Sequence, residues 1–372
     1  MDLERSINLI VDGILSSWEA ISALGCIAVI PLILTVPTFV CEDFGTGTLI
    51  QVLYMTIIMA VYLFVYFKLY SKFKNKDIID ISEFVGGKTL KYMITLLIIV
   101  YFFSIFIFTL SEFNENIRNI LFTDAPASYI SLLFIAATFF GALFGIKGLF
   151  RVSAVVTPII AIGFLAMLFS LFDNIDWLNF TPIFGNGIGK IFLNGATRFG
   201  RYESLIVFSL IAPNLKNLNK TVGKAFALIS FFIIISFFLL LGIIPYPTVI
   251  ENYFPLYEIT RLISYGRFIQ RVESIFVLIW LVATFIYLTT AVLFIVNILK
   301  KVFKIEYCKR LIPSVLIIIL CVSLMLSSYI EIIKIRNIVF LYLTPIFLFL
   351  CPLVILIIAN IKERKMRKNE IN

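Results

Sequence analysis

The chain has 372 residues, 61% of them hydrophobic, 16% aromatic and only 14% charged, with a mean hydropathy of +1.05. Soluble domains carry about 25% charged residues, so a soluble enzyme or receptor domain is excluded and the chain reads as an integral membrane protein. The formal charge of +9 does not point to nucleic acid, because the basic residues fall in short clusters between apolar runs, where they set membrane orientation.

At about 20 apolar residues per crossing, this length admits roughly ten helices with short connections. The amino terminus carries Asp2, Glu4, Asp12 and Glu19 and shows no small-residue cleavage site, so the first apolar segment is expected to stay in the mature protein. In chain order the apolar runs predict helices over Ile14 to Val40, Thr48 to Tyr70, Leu90 to Leu110, Ala127 to Ile146 and Phe150 to Phe172. Five more follow over Ile188 to Ala212, Phe226 to Tyr246, Val272 to Val302, Leu311 to Tyr329 and Ile338 to Ile361. Residues 362–372 form a basic tail.

Counting Lys and Arg in alternate loops gives 22 on one side and seven on the other, with Arg198 and Arg201 inside the sixth segment completing the 31. That asymmetry predicts both termini in the cytoplasm and an even number of crossings. Ten helices with both ends inside permit a five-plus-five arrangement, residues 14–172 and 188–361, whose halves have opposite orientation. The first and sixth segments correspond in such a repeat, and both contain helix breakers: Gly25 and Pro31 in one, Gly195 and Gly200 in the other. We therefore expect an all-α polytopic protein, an inverted repeat of the LeuT type with interrupted first and sixth helices.

A charge inside a crossing costs several kcal/mol unless it is paired or faces water, which makes each one a functional candidate. Glu19 lies six residues before Gly25, where it serves either the site or the nearby interface. The run Asn194-Gly195-Ala196-Thr197-Arg198-Phe199-Gly200-Arg201-Tyr202-Glu203-Ser204 puts three charges and two glycines in the middle of an apolar segment. Unwinding there would free backbone amides and carbonyls for a ligand, let Arg198 or Arg201 meet a carboxylate, and let Glu203 hold an ammonium or balance an arginine. A buried Arg-Glu network that only fixes packing is the competing reading. Arg267 and Arg271 share one helical face at the start of the eighth segment, with Glu273 turned away, and an outer-rim arginine reaching the headgroups is the stronger explanation of them. Trp177 is expected at the outer interface and Trp280 inside the eighth segment. The stretch from Tyr246 to Ile263 has an apolar face at helical spacing, as an outer lid or a helix resting on the membrane surface would.

With no histidine in the chain, the commonest general base and metal ligand are missing, so no enzyme, metal or cofactor is expected. Cys26, Cys41, Cys308, Cys321 and Cys351 lack CxxC spacing and read as small hydrophobes.

The run Phe199-Gly200-Arg201-Tyr202-Glu203 followed by Pro213-Asn214-Leu215-Lys216, and then Pro255-Leu256-Tyr257-Glu258 through Gly266 to Arg271-Val272-Glu273 and Trp280, resembles the permease-like B subunits of spore nutrient germinant receptors. These belong to the amino acid, polyamine and organocation transporter superfamily, and the likeness spans nearly the whole chain. Gly25 with Pro31 and the turn Asn174-Ile175-Asp176 are weaker matches. The resemblance implies a ligand cleft between helices 1, 3, 6 and 8, sensing of an amino acid or similar small nutrient at the spore inner membrane, and partnership with an A subunit and a C-subunit lipoprotein. We expect ligand-binding roles for Gly25, Arg198, Gly200, Arg201 and Glu203, and structural or gating roles for Glu19, Pro31, Pro213, Arg271 and Glu273. Arg198 and Arg201 depart from the family by placing two cations where many members have uncharged residues, which opens the cleft to an acidic or carboxylate-rich ligand. A proton- or sodium-coupled amino acid permease on the same fold is the alternative, and genes for a membrane partner and a lipoprotein beside this one would favour the receptor.

Overall fold

A computed structural model describes residues 13–34, 36–122, 124–195, 199–252, 254–263, 273–305, 308–326 and 329–371. Among them six helical runs are long and apolar enough to cross a bilayer, and three shorter apolar helices accompany them. Large apolar side chains such as Phe64, Phe144, Phe169 and Leu193 stand exposed on the outside, as expected of a surface solvated by lipid rather than water.

Helix α1 (Ser17–Ile33) opens with a capping box: the Glu19 N–H donates to the Ser16 hydroxyl at 3.1 Å and the Ser16 N–H to the Glu19 carboxylate at 2.9 Å. The helix is apolar all round and buried over nearly its whole length, which places it at the centre of the bundle, against α6 (Gly145–Leu171), α8 (Leu218–Ile243) and α11 (Glu273–Phe303). It ends where Leu34 turns extended, three residues after Pro31, and the crossing resumes as α2 (Val36–Phe44). The interruption expected at Gly25 and Pro31 therefore falls beyond both. Proline removes a donor and leaves a carbonyl free, whereas Gly25 stays helical because its missing side chain is what lets α1 approach α8. A Cβ there would lie 2.9 Å from Leu228 Cδ2 and 3.4 Å from Thr157 Cγ2. Gly25→Val is expected to lower stability by about 1–3 kcal/mol through overpacking, read as a drop in the melting temperature of the detergent-purified protein, and Gly25→Ala less, since the Leu228 tip can rotate away.

After a tight turn, α3 (Thr48–Lys72) crosses back. Helix α4 (Ile78–Ile120) is 43 residues long, kinked at Gly87, and far exceeds the predicted span of Leu90 to Leu110. Asp77 caps its start by accepting from the Ile79 and Asp80 N–H groups at 3.0 and 2.9 Å. At the other end Ser111, Glu112, Asn114 and Asn116 are buried among neighbouring helices rather than marking a terminus. Helices α5 (Ala127–Leu143) and α6 complete the first half.

The sixth crossing is barely helical. A π-turn (Lys190–Asn194) and a 3-10 turn (Phe199–Tyr202) lead to the seven-residue α7 (Leu205–Ile211), and a 3-10 turn containing Pro213 ends it. Helix α8 follows, and the predicted lid forms two short helices, α9 (Tyr246–Glu251) and α10 (Pro255–Arg261). Helix α9 rests on α2, and α10 on α1, α8 and α11. The long α11, α12 (Leu311–Met325), α13 (Tyr329–Pro345) and, after a π-turn, α14 (Cys351–Ile371) complete the chain. The predicted basic tail continues α14 as helix rather than leaving it.

Candidate functional site

The irregular backbone between Phe199 and Ser204 carries two buried charges that leave it in different directions. Glu203 turns toward α4 and α11, where the Tyr287 hydroxyl donates to its Oε1 at 2.5 Å and the Tyr101 hydroxyl to its Oε2 at 3.4 Å. Tyr101 also meets the Thr344 hydroxyl of α13 at 3.4 Å. Glu203, Tyr101 and Tyr287 are all buried, so the two phenols replace hydration that this carboxylate would otherwise lose at a cost of several kcal/mol. The Arg336 guanidinium of α13 is close enough to act on it electrostatically, though its ion pair is with Glu112. Ile27 of α1, with Phe102, Ile105, Val207 and Thr290, walls a cavity of about 20 Å³ beside the carboxylate. That space suits about one water molecule, so a larger ligand enters only if these helices separate.

Arg201 turns the other way. Its Nη2 donates to the Gln51 side chain of α3 at 2.5 Å and its guanidinium lies 5.4 Å from the centre of the Phe237 ring of α8. Gln51 in turn donates to the Gly195 carbonyl at 3.1 Å, so one amide ties both Gly195 and Arg201 to α3. Gly200 and Arg201 also line a second small cavity with Val36, Phe39 and Val40 of α2 and Asn337 and Phe340 of α13. Of the two roles read for Glu203, holding an ammonium is left to a ligand, while the ion pair of the nearby Arg336 is made with Glu112. Arg198 and Arg271 lie outside the described residues.

A buried ion pair that sequence reasoning did not single out joins Glu112 of α4 to Arg336, whose guanidinium also lies 5.1 Å from the centre of the Phe340 ring. Both side chains are almost wholly buried. The charge count had assigned Arg336 to a loop and ended the third segment before Glu112; the signal available was their placement within a turn or two of long apolar runs. A larger apolar cavity of about 160 Å³ lies between α1, α6, α10 and α11, with Ser170 and Thr260 its few polar groups. Its lining offers no charge to a zwitterion, which leaves the Glu203 region as the polar centre.

Hydrogen bonds pin the first crossing to neighbouring segments at both ends. On one side Thr38 of α2 donates to the Asn252 carbonyl beside the lid at 2.8 Å. On the other, the Leu15 N–H donates to the Asn214 carbonyl at 2.9 Å in an isolated parallel bridge between Leu15 and Leu215, and the Asn214 amide donates to the Gly13 carbonyl at 2.7 Å. Pro213, by ending the sixth crossing, places Asn214 for this contact. Glu19, beyond capping α1, accepts from Arg151 of α6 at 3.3 Å, an exposed pairing of small energetic weight. Glu273 opens α11 and is half-buried. Trp177 is exposed and Trp280 buried against Phe113.

An all-α bundle whose first and sixth crossings are interrupted, with buried charge at the second interruption, defines a polytopic membrane protein of the LeuT transporter type. The solved structure of MhsT in complex with L-phenylalanine has this fold, superposing with a TM-score of 0.62 at 16% identity over 92% of this chain and 88% of that one. The family model described as "Spore germination protein" matches residues 26–329, and the chain belongs to that family. Its relatives in Bacillus subtilis (strain 168) include spore germination protein KB, 22% identical over 82% of this chain and 85% of that protein, and spore germination protein B2, 21% identical over 67% and 68%. It is thus a transporter-like membrane protein of spore germination.

Proposed function

We propose that the chain is the B-type subunit of a nutrient germinant receptor, binding an amino acid or similar small nutrient in the region around Glu203. The observation that carries this reading is the buried carboxylate of Glu203, held by Tyr101 and Tyr287 at the unwound part of the sixth crossing. The ammonium of a zwitterion would meet Glu203, and its carboxylate would meet Arg201 or the backbone opened between α1 and α2. Gly25 then acts by allowing close packing beside the cleft and Gly200 by keeping the unwound backbone near Phe340, where a Cβ would lie at 3.3 Å. Ligand binding favours one of two rocking states only by its differential affinity for them, and A and C subunits would read the altered surface. The reading includes five-helix repeats over residues 14–172 and 188–361, both termini in the cytoplasm, and residence in the spore inner membrane or the bacterial cytoplasmic membrane.

The LeuT-type fold specifically favours a second reading, an amino acid permease coupled to protons or sodium ions. Liposomes containing the purified chain, given a panel of radiolabelled amino acids, separate the two. Saturable binding without lumenal accumulation is the result expected of the receptor subunit; accumulation driven by an imposed ion gradient would make the chain a permease.

A further inference from the structure

At the end of the molecule where α1 begins, the turn between α3 and α4 and the link from α7 to α8 line an open concavity of about 510 Å³. Lys74, Asn75 and Lys76 of one connection and Lys216, Asn217 and Lys220 of the other line it. No carboxylate lines it. The acidic residues next along the chain, Asp77 and Asp80, are committed to Lys301, the second at 2.7 Å. Among the described residues none of the four lysines is in an ion pair; Lys76 lies 4.7 Å from the centre of the Phe84 ring. Four ammonium groups with no ion-pair partner among the described residues repel each other around one concavity and focus a positive potential into it. The cavity sits where α3 ends and α8 starts, which is headgroup depth for helices that cross the bilayer.

We propose that this cavity is an anion site that takes a phosphate group. A phosphate spreads its charge over several acceptor oxygens, which suits flexible ammonium groups converging from two loops. The group would come from an anionic phospholipid or from a free phosphate compound. Its place in the fold gives it a consequence. Leu215 lines the cavity and also pairs with Leu15, whose N–H holds the Asn214 carbonyl. A phosphate bridging Lys74 and Lys76 to Lys216 and Lys220 braces the segment to which the start of the first crossing is bonded, and so favours the arrangement in which that bridge is made.

The test uses the full chain in nanodiscs of phosphatidylcholine alone or mixed with phosphatidylglycerol, reading thermal unfolding and lipid retention by native mass spectrometry. Phosphatidylglycerol is expected to raise the unfolding temperature and to be retained, and Lys74→Gln with Lys216→Gln is expected to weaken retention about thirtyfold, at about 1 kcal/mol per lysine. Inorganic phosphate added to phosphatidylcholine discs is the second arm: stabilisation that the same variant abolishes also supports the site and identifies the source as soluble. Equal retention by variant and parent would overturn the proposal. So would an equal loss in the control Lys304→Gln with Lys309→Gln, because the effect would then belong to general surface charge, and so would stabilisation by an acidic peptide with none by either phosphate source.

Discussion

Replacing Glu203 with glutamine is expected to weaken nutrient binding by about 1.5–3 kcal/mol, roughly ten- to hundredfold, while leaving a folded protein. Glutamine keeps the acceptor that Tyr287 uses and nearly the same volume, so the walls of the cavity stay in place, but it cannot offer a full negative charge to an ammonium. Tyr287→Phe is the companion: it removes one donor and should cost about 1 kcal/mol of binding. The measurement is equilibrium binding of radiolabelled amino acids to the reconstituted chain, with size-exclusion profiles as the control for folding. If Glu203→Gln binds like the parent, Glu203 is not the ammonium partner. If it and Tyr287→Phe both aggregate, the carboxylate and its phenols serve packing alone.

The largest stability effect is expected at Arg336. Arg336→Met alone leaves Glu112 charged in the interior with Glu203 nearby, and removing one partner of a buried pair costs about 3–5 kcal/mol. Combining it with Glu112→Met removes both charges and should recover most of that loss, because an apolar pair of similar size is often neutral or better. Melting temperatures of the single and double variants decide the matter. Equal destabilisation in both would mean that the pair is not the origin of the effect. Recovery of the fold without recovery of binding would show that Arg336 also sets the field felt by Glu203.

Much of this architecture was legible in the sequence because bilayer thickness turns hydrophobicity into length: the second segment, expected from Thr48 to Tyr70, is observed from Thr48 to Lys72. The irregularity of the sixth crossing was also readable, since glycines and charges cannot sit together in a lipid-facing helix. What escaped were features set by neighbours. Glu112 looked like the polar end of a crossing because the sequence does not say that α13 lies beside it with an arginine. Tyr101 and Tyr287 are two of 16 tyrosines in a chain with 39 phenylalanines, and only their convergence from α4 and α11 separates them from interface filler. Gln51 carries no charge and therefore raised no signal, although it bonds to both Gly195 and Arg201. Gly25 was read as a breaker for lack of knowledge that Leu228 packs against it.

Helix α4 adds a mechanical consequence. From Tyr101 to Ile120 it runs about 28 Å without a break, at 1.5 Å per residue. A rigid rod pivoting at Gly87 acts as a lever: a shift of about 1 Å at Tyr101, about 21 Å from the pivot, moves Ile120, about 50 Å from it, by about 2.4 Å, a displacement of the size that shifts packed helices between discrete arrangements. The hinge at Gly87 lets the opposite arm, anchored through Asp77 to Lys301, stay still while the rod moves. A one-ångström adjustment at the tyrosine hydroxyl would then be magnified into a change of surface shape that a protein outside the bundle could feel.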